Sequence, residues 1–215
     1  MDDQIIQRIC IYALPLILAI TVHEAAHAFA ANKYGDNTAK MLGRLSLNPL
    51  VHIDLFGTII FPLLSLVLFS GVGIIFGWAK PVPINFFKLH NPKRDLRYVA
   101  LAGPLSNLAM ALVWALLLKV SLYVPDYART LLFLMSQAGI SINIGLMLLN
   151  LLPILPLDGG RIVYSLLPDN LAFRYSKSER FGFFILILLI LVGALNYIIM
   201  PLYAIITSFI IGLVL

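Results

Sequence analysis

The amino-acid sequence predicts an all-α polytopic membrane protein, a helical bundle of about five to six apolar segments. Composition supports this: 61% of the 215 residues are hydrophobic and 12% are charged, against about 25% charged residues in a typical soluble domain. The mean hydropathy is +0.97. The apolar residues form runs long enough to cross about 30 Å of hydrocarbon. Because no stretch between these runs could form a second core, we expect one membrane-embedded domain over residues 1–215.

The formal net charge of the chain is +5. A positive charge is found in proteins that bind acidic partners, but it is also typical of membrane proteins, in which Lys and Arg of the short loops set the orientation of the chain. Most of the basic residues here lie in such loops. We therefore expect the lipid bilayer as a partner and no nucleic acid.

The first apolar run, over residues 9–31, contains the sequence HEAAH. Residues four apart lie on one face of a helix, so His23 and His27 can bind the same metal ion. Zn²⁺ held by two imidazoles and one further ligand keeps a position for water and lowers the pKa of that water to about 7. A carboxylate outside the coordination shell can then accept the proton. The pattern predicts a zinc site for hydrolysis, with Glu24 as the general base.

Two histidines at this spacing also occur by chance on a helix. The membrane context argues against that interpretation. A charged residue at the centre of a spanning helix costs about 2.5–3.5 kcal/mol on insertion scales, so ionisable residues at this depth indicate a function. Since His23, Glu24 and His27 all lie in one apolar run, we favour the metal site.

The next apolar stretch, residues 55–78, is long enough to span, but the loops on both sides of it are basic. A single crossing would place one of these loops on the side that positive residues avoid. Pro62 and two glycines interrupt the stretch, which favours a re-entrant hairpin near the predicted metal site. Two prolines forbid a helix over residues 78–83, where we expect an extended return limb.

A second clear span is predicted over residues 98–120 and a third over residues 130–152. The second contains AGPLSN, whose small residues allow close helix contact, and Asn107 there can hydrogen-bond to a neighbouring helix as a packing residue. The third ends in NLLPILPLDGG. Its prolines and glycines must break the helix and present Asp158 on irregular chain at the membrane edge. Asp158 is therefore the best candidate for a third zinc ligand.

The last apolar run, residues 181–215, is longer than one span requires. Gly193, Asn196 and Pro201 are the residues expected to divide it, into a span and a shorter terminal segment. The number of spans in this run stays open at this point.

Together these motifs resemble the site-2 protease family of intramembrane zinc metalloproteases, peptidase family M50. HEAAH, AGPLSN and NLLPILPLDGG follow one another in three successive spans, and GWAKPVP resembles the extended stretch before the AGP-bearing helix in the compact bacterial branch. The resemblance covers essentially the whole chain. We expect the compact form of the family, without a PDZ domain between the second and third spans and without a C-terminal CBS domain.

The resemblance implies one bound zinc ion, a general base and cleavage of a transmembrane helix of a membrane-protein substrate. The matching residues are His23, His27 and Asp158 as zinc ligands and Glu24 as the base. The resemblance also places Asn150 near the active site. Asn150 or His52 would donate a hydrogen bond to the developing oxyanion. We favour Asn150, because a loop histidine such as His52 more often bonds to nearby backbone or to Asp54.

The resemblance further implies a multi-pass protein of a bacterial or archaeal cell membrane, with the active site towards the cytosol. The distribution of Lys and Arg agrees with this orientation: three in residues 32–52, five in 80–97 and four in 161–180, against one in 121–129. The first three of these loops are predicted to be cytoplasmic. The oligomeric state is left open.

Three other functions fit parts of the sequence. A bis-histidine haem protein needs histidines that face one another from different spans, whereas His23 and His27 share one helix face. A metal transporter needs polar residues along a pathway, often with paired repeats, whereas the ionisable residues here converge on one depth. A zinc-binding scaffold without activity would have no use for Glu24, which is not a ligand. We therefore favour the protease.

Overall fold

The structure is a computed structural model that describes residues 3–52, 54–60 and 80–214. The described part of the chain is helical and has no β-strand, as the composition predicts. Its eight α-helices are α1 Asp3–Lys33, α2 Thr38–Met41, α3 Pro92–Ser121, α4 Asp126–Asn150, α5 Asp158–Leu166, α6 Asp169–Ser176, α7 Glu179–Leu191 and α8 Ala194–Val214. Two 3₁₀ turns, Pro49–Val51 and Phe86–Lys88, and a π-helical segment, Leu55–Ile60, lie between α2 and α3.

Four helices of the described part are long and apolar enough to cross a membrane. They are Ile6–Lys33 within α1, Pro92–Ser121, Asp126–Asn150 and Ala194–Val214. The first three correspond to the spans predicted over residues 9–31, 98–120 and 130–152. The prediction of an all-α integral membrane protein is therefore confirmed.

Most of the predicted re-entrant hairpin lies in residues 61–79, which are outside the described residues, so the hairpin stays a prediction. Of the extended limb expected over residues 78–83, residues 80–83 are described and form no helix. The irregular conformation continues to Asn85. Pro81 and Pro83 have no amide hydrogen for a helix to use. We call residues 80–85 the proline strap.

Helix α3 is the centre of the bundle and contacts α1, α4, α5 and α8. Its C-terminal half packs against α4 and α8 in the main apolar core. The buried residues of that core are Ala111, Trp114, Ala115, Leu118, Ile140, Ile144, Met147, Leu148, Ile210 and Val214. Gly139 of α4 makes room for the Trp114 ring, since a Cβ at this position would lie closer than 3.0 Å to ring atoms. Small residues of this kind let membrane helices approach one another closely.

The N-terminal half of α3 runs antiparallel to the C-terminal half of α1. Tyr34, just after α1, stacks on Tyr98 near the start of α3 with ring centroids 5.5 Å apart. The His90 amide donates to the Tyr34 carbonyl at 2.8 Å. At the other end of α3, Lys119 Nζ donates to the carbonyl of Val214 at the end of α8, at 2.7 Å. Helix α3 therefore contacts α1 mainly through its N-terminal half, whereas its C-terminal half forms the main apolar core.

The C-terminal apolar run is divided at Gly193, but its two parts come in the opposite order to the one expected. Gly193 has a φ of +74°, a left-handed conformation that glycine adopts without strain. It separates α7, with 13 residues, from α8, with 21 residues. The prediction that Asn196 and Pro201 divide the run was wrong, since both lie within α8. Proline is tolerated within membrane-spanning helices, in which neighbouring groups can satisfy the carbonyl that it frees.

Candidate metal centre

His23 and His27 lie one turn apart on α1, and both side chains are buried. Their Nε2 atoms are 3.1 Å apart, and the two rings meet edge to face at 87°. The four-residue spacing places both imidazoles on the face of α1 that packs against α3. One turn of a single helix therefore supplies two nitrogen atoms at the same place.

Asp158 is the first residue of α5, and it reaches the histidines because the chain turns back sharply after α4. Gly159 and Gly160 pack against the backbone of residues 151–155, and a Cβ at either glycine would lie closer than 3.0 Å to that backbone. Asp158 Oδ2 consequently lies 3.3 Å from the Nε2 atoms of His23 and of His27. The proline-broken segment thus delivers a carboxylate to the predicted site.

The donor set of this group fits a metal cation. One atom each from His23, His27 and Asp158 lies within 4.8 Å of the others. His27 Nδ1 is 2.8 Å from the Val99 carbonyl oxygen, which only accepts, so Nδ1 carries the proton and Nε2 keeps a lone pair. Asp158 Oδ2 has no hydrogen-bond donor among the described residues. Acceptor atoms that converge in this way are stabilised by a cation, and imidazole nitrogen with carboxylate oxygen is a ligand set for zinc.

Helix α3 leaves space for this group at Gly103, the glycine of AGPLSN. A Cβ at Gly103 would lie closer than 3.0 Å to Nε2 of His27 and to ring atoms of His23. The absence of a side chain therefore lets α3 lie directly against the two imidazoles. Any larger residue would enter the space of the ligand atoms.

Glu24 follows His23 in the chain but is held by the proline strap. Its Oε2 accepts a hydrogen bond from the Val82 amide at 2.8 Å. Because the residues on both sides of Val82 are prolines, this amide is the one main-chain donor of the three. Val82 itself is buried, with 6% of its surface exposed. The strap thus brings a main-chain donor to the predicted base.

Three further hydrogen bonds anchor the strap. The Lys80 amide donates to the His52 carbonyl at 3.1 Å, Arg44 Nη1 to the Pro81 carbonyl at 3.1 Å, and the Asn85 amide to Asp36 Oδ2 at 2.6 Å. Each partner lies in the polar segment that follows α1. The strap is therefore tied to the same end of the bundle as the candidate metal centre.

Asp36 is a strong anchor because it is ionised and fully buried. Burial raises the pKa of this carboxyl, but hydrogen bonds from the Thr38 hydroxyl and amide and from the Asn85 amide, together with the charge of Lys88, bring the pKa below its ordinary value. The Asp36 carboxylate is thus negatively charged at neutral pH. It accepts hydrogen bonds both from the start of α2 and from the strap.

The two candidate oxyanion donors have other partners in the structure. Asn150 Nδ2 donates to the Leu146 carbonyl of its own helix at 3.0 Å. The His52 ring is 1% exposed, and its Nε2 donates to the Ser46 carbonyl at 2.8 Å, which agrees with the interpretation of His52 as a loop residue bonded to backbone. The catalytic role of Asn150 stays a prediction.

Asn107 contacts the centre directly, which the sequence interpretation did not anticipate. Its Oδ1 lies 2.6 Å from His23 Nδ1, whereas the sequence favoured a role in packing. Asn107 follows Gly103 by one helical turn, so both lie on the face of α3 that meets α1. This spacing was the available signal, but a single sequence does not say which partner a buried amide finds.

Comparisons with known proteins agree with this chemistry. The family profile described as Peptidase family M50 matches residues 125–193. Two bacterial relatives are both named "Putative zinc metalloprotease". YwhC of Bacillus subtilis (strain 168) is 39% identical over 197 residues, which cover 87% of this chain and 83% of the relative. Rip2 of Mycolicibacterium smegmatis is 30% identical over 186 residues, which cover 84% of this chain and 66% of the relative. No solved structure matches the chain.

A bundle of spanning helices with two imidazoles and a carboxylate at one buried point is the architecture of a membrane-embedded metalloenzyme. The similarity to YwhC and the family profile show which one: the chain belongs to peptidase family M50 and is a zinc metalloprotease. The predictions of the family, of metalloprotease activity and of zinc as the cofactor are confirmed.

Proposed function

We propose that the protein is an intramembrane protease, which hydrolyses a peptide bond within or near a transmembrane helix of a membrane-protein substrate. The observation that carries this proposal is the position of the candidate centre in the bundle: His23 and His27 lie on the candidate span Ile6–Lys33 and hydrogen-bond to residues of the candidate span Pro92–Ser121. A scissile bond can reach such a place only within the bilayer or at its edge. The substrate is therefore itself a membrane protein.

His23, His27 and Asp158 would hold the zinc ion. When bound, zinc would supply polarisation of the scissile carbonyl and an acidified water molecule. The two imidazoles are neutral ligands, so Asp158 contributes the only negative charge of the three. That charge offsets part of the charge of a dication, which would otherwise be costly in a low-dielectric interior.

Glu24 would act as the general base, taking the proton of the attacking water and passing it to the leaving amide nitrogen. Its position next to His23 in the chain would keep the carboxylate close to the zinc ligands without making it one of them. The Val82 amide occupies Oε2, which leaves Oε1 to handle the proton. Asn150 would donate to the oxyanion after giving up its bond to the Leu146 carbonyl. Such a donor contributes about 2.7–4 kcal/mol in other hydrolases.

The active site would face the cytosol of a bacterial or archaeal cell. The end of the bundle that holds the centre also carries the basic loops over residues 32–52, 80–97 and 161–180, and positive loops stay on the cytosolic side. Cysteines introduced at Asn37 and Asn91 should react with a probe from the cytosol and one at Tyr127 from the opposite side. Labelling of Asn37 from outside would contradict this orientation.

A substrate helix must unwind before it is cut. Its amides are bonded internally in the bilayer, and each freed group costs several kcal/mol in hydrocarbon unless it finds a partner. We expect substrates with Gly, Pro or Asn near the cytosolic end of a transmembrane helix, captured as an added strand at the irregular segments that flank the centre. Replacing those residues by Leu in a confirmed substrate should slow cleavage. An unchanged rate would show that unwinding does not limit the reaction.

The ligands and the base can be separated by experiment. Glu24→Gln should abolish cleavage of a model membrane substrate while the purified protein keeps about one zinc per chain, because Glu24 moves a proton and is not a ligand. Asp158→Ala and His23→Ala should lose both zinc and activity. Zinc content is measured by metal analysis of folded protein in detergent. Loss of zinc from the Glu24→Gln protein would contradict the assignment of roles.

A further inference from the structure

The two histidines of the centre are held through Nδ1 by different kinds of partner. His27 donates to a main-chain carbonyl, that of Val99, at 2.8 Å. His23 faces the side chain of Asn107, whose Oδ1 is 2.6 Å away. A backbone carbonyl presents oxygen alone, whereas a carboxamide can turn and present either oxygen or NH₂. Which ring nitrogen of His23 carries the proton therefore depends on the contacts that fix the orientation of the Asn107 carboxamide.

A second buried asparagine fixes Asn107. Asn107 Nδ2 donates to Oδ1 of Asn143 on α4 at 3.0 Å and to the Ala19 carbonyl on α1 at 3.3 Å. Asn143 in turn donates from Nδ2 to the Gly139 carbonyl of its own helix at 2.8 Å. Both asparagines have 0% of their surface exposed. We call Asn107 and Asn143 the asparagine relay.

The direction of every bond in the relay follows from its ends. The Gly139 carbonyl only accepts, so Asn143 turns its NH₂ towards Gly139 and its Oδ1 towards Asn107. Asn107 then meets acceptors at Asn143 and at the Ala19 carbonyl, so its NH₂ faces them and its Oδ1 faces His23. The proton of the His23 ring must therefore lie on Nδ1. Nε2 is left with its lone pair directed at His27 and Asp158.

We propose that the asparagine relay positions His23 for zinc, by fixing both the tautomer and the ring orientation of this ligand. Asn107 is a positioning residue, and Asn143 acts through it. The proposal rests on the ligation of zinc by His23 proposed above. Removal of an outer partner of a ligand histidine typically weakens metal binding by about 10–100-fold. The relay also makes the geometry of the centre depend on α4, a helix that supplies no ligand.

A relay that only packs helices together would respond differently to two substitutions of Asn107. Asn107→Leu keeps the number and branching of the side-chain heavy atoms but removes the acceptor for His23. Asn107→Asp keeps an acceptor for His23 while it places a carboxylate in a fully buried site and removes the donors to Asn143 and Ala19. If the role were packing, Asp would be the more damaging change, because a buried charge is costly. If the role is to orient His23, Asp preserves zinc binding better than Leu.

The test measures the zinc dissociation constant of the full-length protein in detergent by competition with a chelator. It also records the visible spectrum of the Co²⁺-loaded protein, which reports ligand geometry. Asn107→Leu should weaken zinc binding by about 10–100-fold and change the Co²⁺ spectrum, whereas Asn107→Asp should stay closer to the wild type in both. Asn143→Leu should fall between Asn107→Leu and the wild type. The double Leu variant should match Asn107→Leu, because Asn143 acts through Asn107.

Ser136→Ala is the matched control. Ser136 lies two helical turns before Asn143 on α4 and is also 0% exposed, so its removal should leave zinc affinity and the Co²⁺ spectrum unchanged. Wild-type affinity in Asn107→Leu, or weaker binding by Asn107→Asp than by Asn107→Leu, would overturn the proposal. If Asn107→Leu does not fold, wild-type affinity in Asn143→Leu overturns it instead. A wild-type protein without zinc, or undiminished binding by His23→Ala, would contradict the proposed centre and not the relay.

Discussion

The candidate metal centre and the proline strap meet at Glu24, but they are held in place by different means. Helix packing holds the centre, since His23 and His27 share one turn of α1 and Gly103 lets α3 lie against them. The strap has no repeating structure, and four hydrogen bonds to other segments of the described chain hold it. The difference suggests that metal binding and positioning of the base are separable. Changes in helix packing should release zinc, whereas changes in the strap should leave zinc bound and slow turnover.

The largest effect is expected from Gly103→Ala. The added Cβ would lie closer than 3.0 Å to both imidazoles, and ligands that a metal holds in place cannot move aside without loss of geometry. Overpacking of this kind costs about 1–3 kcal/mol, which corresponds to a zinc dissociation constant about 5–150-fold higher. Chelator competition on the purified protein measures it.

Gly145→Ala is the matched control for this substitution. Gly145 also lies in a spanning helix, α4, but no atom lies within 4 Å of the position that its Cβ would take. Zinc affinity and cleavage should be unchanged in the control. Equal zinc affinity in the two alanine variants would show that α3 does not press on the ligands.

The features that bring the residues of the candidate metal centre together could largely be predicted from the sequence. The HEAAH spacing predicts two ligands on one face, and the prolines before Asp158 predict the irregular chain of residues 151–157. Both predictions rest on local rules, the period of the helix and the missing amide of proline. Structure brings these three residues together, although their roles as ligands remain proposals. The expectation that Asp158 itself lies on irregular chain was wrong, since it is the first residue of α5, and the two glycines that follow are helical.

The contacts that hold the strap to Glu24 could not be predicted from such local rules. The bond from Val82 to Glu24 joins residues 58 positions apart, and neither periodicity nor composition indicates such a pair. The same holds for the relay from His23 to Asn143. The error at Pro201 has a different origin: in a membrane helix the penalty for proline depends on the neighbours that satisfy the freed carbonyl, and these belong to the tertiary structure.

An intermediate effect is expected from Val82→Pro. The substitution removes the amide hydrogen that Glu24 Oε2 accepts, and a hydrogen bond to a charged group contributes about 1.5–3 kcal/mol. Cleavage should therefore be at least about tenfold slower while zinc content stays that of the wild type. Val82→Ala keeps the amide, shortens the same buried side chain and should retain most of the activity. Zinc loss in Val82→Pro would show that the strap and the centre are not separable.

The smallest effect is expected at Asp36, which anchors the strap through Asn85 and makes no hydrogen bond to Glu24. Asp36→Asn keeps the shape but replaces one acceptor oxygen by a donor, so either the Asn85 amide or the Thr38 amide loses its partner. Turnover should fall by a few-fold, with zinc affinity unchanged. Asp169→Asn is the matched control: the pKa of Asp169 is also lowered, by Lys93, but this carboxylate lies on the surface, and it pairs with Lys93 and not with a residue of the strap.

The pH dependence of the Asp36 contribution follows from the direction of its pKa shift. Because the pKa is lower in the folded protein than the unfolded value of about 3.9, the carboxylate stabilises the fold fully above that value and loses this contribution as the pH falls through the folded pKa. The thermal unfolding midpoint of the zinc-free protein should therefore be higher for the wild type than for Asp36→Asn at pH 6–7. The two midpoints should approach one another below about pH 4. Zinc-free protein is required because protonation of the ligands would otherwise add its own pH dependence. A difference between the two proteins that persists unchanged at low pH would show that Asp36 acts through its shape and not through its charge.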